Sequence, residues 1–143
     1  MNVLRGLVGV LAALAIAVGF TQFLELMLAN AIAGRALQSL DDYALVLNSW
    51  PLLAMRLAVS SFMALLGGYV CAKLAEHDEM RYTLIAVIFR LVAVVGGNAA
   101  GYMPRTPVRA LAVLLTVSSA AMLAGAAVRA AAAAAEARKE NRA

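Results

Sequence analysis

Charge is scarce in this sequence. Only 14% of its residues are Asp, Glu, Lys or Arg, while 64% are hydrophobic; a soluble domain averages about 25% charged and about 45–50% apolar. A chain of 143 residues makes one domain, and a domain of that size exposes too much surface to hide the excess in a core. The composition excludes an ordinary water-soluble globule and makes lipid the solvent for most of the chain. Cysteine and histidine are scarcer still. A single cysteine, Cys71, excludes an internal disulfide and any multi-cysteine metal centre. A single histidine, His77, excludes a bis-histidine haem of the four-helix cytochrome kind. No segment alternates polar and apolar residues as a strand does. In lipid, backbone polar groups must pair within their own segment or in a closed barrel, so long unalternating apolar runs choose helices. No cofactor and no metal is implied.

What the chain does have is four apolar runs. The first, Gly6 to Leu24, is free of charge and flanked by Arg5. It is longer than the apolar core of a signal peptide, although Ala31-Ile32-Ala33 resembles a cleavage site, and it predicts a retained span of roughly 5–29. Further spans are predicted at about 51–73, 82–103 and 108–128. Between the first two, Leu40, Tyr43, Ala44 and Leu47 recur at helical spacing behind Ser39, Asp41 and Asp42, residues suited to a helix start. A short amphipathic helix at the membrane surface is expected there, with Trp50 at the interface and Pro51 opening the second span. Pro104-Arg105-Thr106-Pro107 reads as a tight loop. After Arg129 an alanine-rich tail, 129–143, extends the last helix into water. The predicted fold is all-α: an integral membrane four-helix bundle with one interfacial helix.

The net charge is +4 and the pI about 9.7, but the positive charges sit at the ends of apolar runs, where membrane orientation accounts for them. No nucleic-acid partner is expected. Arg5, Lys73, Arg81, Arg129, Arg138, Lys139 and Arg142 fall on the side of the termini, and Arg35, Arg105 and Arg109 on the other. Lysine and arginine favour the cytoplasmic side, which predicts both termini in the cytoplasm.

Three charges interrupt the apolar runs: Glu25, Arg56 and Arg90. A charge at a helix centre costs about 2.5–3.5 kcal/mol on insertion scales, so such residues face the bundle interior and pair. At a rise of about 1.5 Å per residue, Glu25 and Arg56 lie at similar depth, which predicts a Glu25–Arg56 pair; Arg90 lies deeper. Thr21 and Gln22 share the face of Glu25, Ser60, Met63 and Gly67 that of Arg56, and Thr83, Ala93, Gly97 and Gly101 that of Arg90. A structural ion pair that fixes helix register explains Glu25 and Arg56 without further function. Arg90 is harder to account for in that way.

Small residues recur every four positions in three series: Ser60, Ala64, Gly68 and Ala72; Ala93, Gly97 and Gly101; and Ala112, Thr116, Ala120 and Ala124. Such ridges let helix backbones approach closely in lipid. Gly67, Gly68, Gly97 and Gly101 are the candidate packing positions, and Asn98 the candidate for a hydrogen bond across helices. His77 lies among Glu76, Asp78 and Glu79 in a charged turn, which reads as a solvated loop because no second histidine or cysteine supports a metal. Ser60-Ser61 and Ser118-Ser119 lack a nearby base and are expected to bond backbone carbonyls. No nucleophile–base constellation is visible, so no catalytic residue is assigned.

Gly19-Phe20 and Glu25, Ser49-Trp50-Pro51, Leu66-Gly67-Gly68-Tyr69-Val70 and Ala72-Lys73-Leu74-Ala75 occur in an order that resembles a group of small four-helix bacterial membrane proteins. The resemblance implies a bacterial cytoplasmic membrane and no activity. The chain does not resemble small multidrug exporters, which carry a glutamate deep in their first helix; Glu25 lies near the end of its run. Two functions follow as expectations. One is a non-enzymatic accessory or structural subunit, as a homo-oligomer or within a larger membrane complex. The alternative is a small oligomeric transporter or channel with a polar path through Glu25, Arg56 and Arg90.

Overall fold

A computed structural model describes residues 2–75, 78–103 and 105–140. Its elements are α1 (Asn2–Leu14), a π-helical segment (Ala15–Phe20), α2 (Thr21–Ala33), α3 (Leu40–Leu47), α4 (Trp50–Ala75), α5 (Glu79–Ala100) and α6 (Val108–Glu140). There is no strand among the described residues. Leu14, Phe20 and Thr21 all keep right-handed helical dihedrals, so α1, the π segment and α2 form one rod. Among the described residues four helices are long and apolar enough to cross a membrane: Val3–Ala33, Trp50–Ala75, Glu79–Ala100 and Val108–Lys139. The expectations attached to Glu76, His77, Pro104 and Arg142 concern residues outside those described.

The helix ends differ from the hydropathy boundaries for local reasons. The first rod runs on to Ala33 because the chain first finds a left-handed residue at Gly34, φ 63°. The third long helix stops at Ala100, short of 103, because Gly101 takes φ 75° and its N–H bonds the Gly97 carbonyl. α6 carries through the alanine run to Glu140 without a break.

α3 is shorter than the segment between the first two spans. Ser39 caps it, its hydroxyl accepting from the Asp42 N–H at 3.1 Å. Asn30 ties α3 to the end of α2: its amide donates to the Tyr43 hydroxyl at 2.9 Å, and its carbonyl oxygen accepts from the Leu37 N–H at 3.0 Å. Leu37, Leu47 and Ala29 are buried together beneath this knot.

The four long helices form a diamond. α4 and α5 take the short diagonal, and each touches both the first rod and α6. Among the described residues, the backbones of the first rod and α6 nowhere come within packing distance of each other. The α4 glycine pair points in two directions. A Cβ at Gly68 would strike the Met122 carbonyl oxygen of α6, and one at Gly125 would strike the Leu65 carbonyl oxygen in return. A Cβ at Gly67 would lie 3.0 Å from the Ala13 carbonyl oxygen, and one at Gly9 would lie 2.9 Å from that of Cys71. A Cβ is excluded at Gly68 and Gly125 and tightly confined at Gly9 and Gly67, as in small-residue contacts between membrane helices generally.

The three small-residue ridges fare differently. Ser60, Ala64, Gly68 and Ala72 are all buried. Ala112, Thr116, Ala120 and Ala124 are all exposed; α6 buries Leu114, Ser118, Met122 and Ala126 instead. The third ridge also departs from its expected role. Ala93 is exposed, Gly101 serves as a helix cap with nothing within 4 Å of a Cβ, and Gly97 packs on the Met103 side chain from the following loop. Gly97 and Gly101 are therefore not helix-packing positions. Their spacing arises from the end of α5, where a left-handed residue and a close loop both favour glycine.

Candidate functional site

The half of the bundle that holds Gly6, Gly9, Gly67, Gly68 and Gly125 is closed by apolar packing, with Tyr82 against Gly6 and Val10, Val87 and Met122 in the core. The other half, toward the α5–α6 loop, holds the charge. Glu25, Arg56 and Arg90 are each buried, at 4%, 6% and 3% exposure, and all three line one cavity. The cavity gives the centre of a water molecule about 40 Å³ in which to move. Every long helix contributes to it, together with Met103 and Thr106 of the loop.

Each charged side chain is placed by its helix. Thr21 and Glu25, four residues apart, occupy one stripe of α2 and are both buried. Arg56 and Ser60 do the same on α4. On α5 the stripe is Thr83, Ala86, Val87 and Arg90, with Asn98 two turns beyond. The π-helical segment immediately precedes Thr21. A π-helical turn sets the residues after it on a different face from the one a straight α-helix would give.

Arg56 and Glu25 form an ion pair, Nη2 to Oε2, at 3.2 Å. The carboxylate oxygen stands off the line that a good hydrogen bond prefers. Arg56 also donates from Nη1 to the Thr106 hydroxyl at 3.2 Å. Arg90 donates from Nη2 to the Ser60 hydroxyl at 3.0 Å, and its charge is felt at Glu25. The Arg90 Nε and Nη1, the Arg56 Nε and the Thr21 hydroxyl are buried without a hydrogen-bond partner.

Asn98 does not bridge two helices. Its carbonyl oxygen accepts from the Thr106 N–H at 3.2 Å, and its amide reaches the Thr106 carbonyl at 3.4 Å. It holds the loop over the cavity, and through Thr106 it supports Arg56. Gln22 lines the cavity half-buried. Ser60 receives Arg90 rather than bonding a carbonyl, whereas Ser118 does donate back to the Leu114 carbonyl. Thr106 is the site residue that the sequence reading passed over. The signal for it was a lone hydroxyl between two prolines, held in the loop nearest the charged ends of the helices.

Scanned against protein-family models, curated proteins and solved structures, the chain matches no family, no curated protein and no solved structure.

Proposed function

We propose that the chain is a multi-pass integral membrane protein, without enzymatic activity, that works as an accessory or structural subunit of a homo-oligomer or larger membrane complex. The observation that carries this is the closure of the bundle on the side of the termini. Ala13, Ala17, Ala64, Cys71, Ala86 and Met122 pack into one buried cluster next to the charged site, so the polar residues end in packed side chains. Glu25, Arg56 and Arg90 line a single cavity, with Arg90 reaching Ser60 one turn beyond Arg56.

Several features support a lipid setting. Phe20, Phe23, Phe62, Ile88 and Phe89 point outward, each more than half exposed, as suits side chains in contact with acyl chains. Trp50 and Tyr102, both over 80% exposed, sit at the same end of the bundle, where aromatic residues favour an interface. α3 lies at that end as the surface helix. The cationic bias toward the side of the termini supports a cytoplasmic location for both, and the bacterial cytoplasmic membrane is the location proposed.

The second reading, a transporter or channel through Glu25, Arg56 and Arg90, is favoured by the cavity itself and by its unpartnered donors. It requires the packed half to open. Arg90→Leu separates the two. As a subunit, the variant loses abundance or co-purifying partners in mild detergent while liposomes carry no flux with either protein. A wild-type protein that stays monomeric and partner-free after crosslinking, yet moves a solute that the variant does not, overturns the subunit reading.

A further inference from the structure

The charged site is not neutral. The ionisable residues lining the cavity are Glu25, Arg56 and Arg90, so its formal charge is +1 in surroundings where uncompensated charge is costly. Unmatched donors also outnumber unmatched acceptors, since on the acceptor side only the Glu25 Oε2, which faces Arg56 at 3.2 Å, lacks a hydrogen bond among the charged residues. Arg90 uses one nitrogen on Ser60 and leaves Nε and Nη1 without acceptors at 3% exposure; Arg56 leaves its Nε and Thr21 its hydroxyl in the same condition. Buried guanidinium N–H groups are expensive to leave unmatched. Val94, Met103, Leu111, Leu114 and Leu115 add only apolar side chains to the lining; of the two amides there, Gln22 is half-buried and the Asn98 carbonyl oxygen already accepts from the Thr106 N–H.

We propose that this cavity binds one small monovalent inorganic anion of the size of chloride, held chiefly by the Arg90 guanidinium, with Arg56 alongside. Water alone satisfies the donors but leaves the charge, whereas a halide satisfies both. The space, about 40 Å³ for the centre of a water, exceeds the 10–15 Å³ or so that one water needs. It does not accommodate a phospholipid headgroup with its glycerol. Glu25 then has a second role. It competes with the anion for Arg56 and sets how tightly the site binds.

The inference is independent of any larger assembly, because the isolated protein is sufficient to test it. The protein is placed in nanodiscs of phosphatidylcholine, and gluconate is exchanged for chloride at constant ionic strength while thermal unfolding is followed. A ligand that binds only the folded state raises the midpoint in a saturable way. Wild type shows that rise, and chloride-35 resonance broadening saturates over the same range. Arg90→Gln abolishes both. Glu25→Gln unfolds earlier in gluconate, recovers with chloride, and half-saturates at a concentration lower by about tenfold or more, because a competing negative charge has gone. A purely structural ion pair gives the first of these effects without the other two. The proposal is overturned if wild type responds equally to chloride and gluconate, or if Arg90→Gln keeps the response. It also fails if Glu25→Gln binds chloride no more tightly. The last outcome decides the matter even where Arg90→Gln does not fold.

Discussion

The two halves of the bundle are buried by opposite means. Toward the termini, α4 lies against α1 and α6 so closely that Gly9, Gly67, Gly68 and Gly125 each have a backbone atom where a Cβ would go or just beyond it. Toward the α5–α6 loop, residues from every long helix instead surround a cavity that holds Glu25, Arg56 and Arg90. One half is specified by shape, the other by charge. Helices in lipid gain little from apolar burial against each other, because lipid tails are as apolar as leucine. Close backbone packing and polar pairing are the two means left, and this chain uses one in each half. The difference also decides where there is space: the half in which backbones touch has none, and the charged half has the cavity.

The comparison breaks most readily at Gly68. Valine there meets the Met122 carbonyl, and neither backbone can yield without parting α4 from α6. The expected cost lies beyond about 4–5 kcal/mol, the exceptional range for one substitution, and is read as loss of monodisperse protein in detergent. Gly19→Val is the control, since nothing lies within 4 Å of a Cβ at Gly19. Equal behaviour of the two variants would show that the packed half is not held by backbone proximity.

In the charged half the corresponding change is Arg56→Met. It strands Glu25 and removes the donor to Thr106. Breaking a buried pair from one side costs about 3–5 kcal/mol, whereas replacing both members by apolar residues is often near neutral. Adding Glu25→Leu to Arg56→Met is therefore expected to restore much of the stability, measured by thermal unfolding in the same detergent. Additive losses would mean that the two residues do not act as a pair. The packed half allows no such rescue, because a clash is not a charge to be cancelled.

Much of this was legible in the sequence, and the boundary is physical. Four long helices follow from apolar runs that have no other way to satisfy their backbones. Glu25 and Arg56 follow from counting depth along two helices of known rise. The buried face of α6 did not follow. In water a helix shows its buried side by contrast, but here the small residues Ala112, Thr116, Ala120 and Ala124 face outward, while Leu114, Ser118, Met122 and Ala126 face inward. A lipid-solvated, alanine-rich helix carries no such contrast. Thr106 was hidden for another reason: it reaches Arg56 from a loop, and helical spacing says nothing about loops.

The smallest expected effect sharpens the comparison best. Gly97 belongs to the charged half, and its spacing with Gly101 looks like that of the packed half. A Cβ at Gly97 would lie 3.0 Å from the Met103 sulfur and 3.1 Å from its terminal methyl. The Met103 Cγ lies as near, at 3.1 Å, so the whole thioether side chain has to give slightly, which its rotatable bonds allow. Against that small strain, alanine gains about 1 kcal/mol of helix propensity over glycine. Gly97→Ala is expected to leave stability within about 0.5 kcal/mol of wild type, as surface changes do. Gly68→Ala, made on the same four-residue spacing, is expected to be severely destabilising. Thermal unfolding of the two variants side by side measures the difference. If Gly97→Ala proved as damaging as Gly68→Ala, α5 would have a close helix neighbour at Gly97, and the third ridge would regain the packing role that Met103 now takes from it. The same four-residue spacing thus has opposite consequences in the two halves, because a carbonyl on a neighbouring helix cannot move and a methionine side chain can.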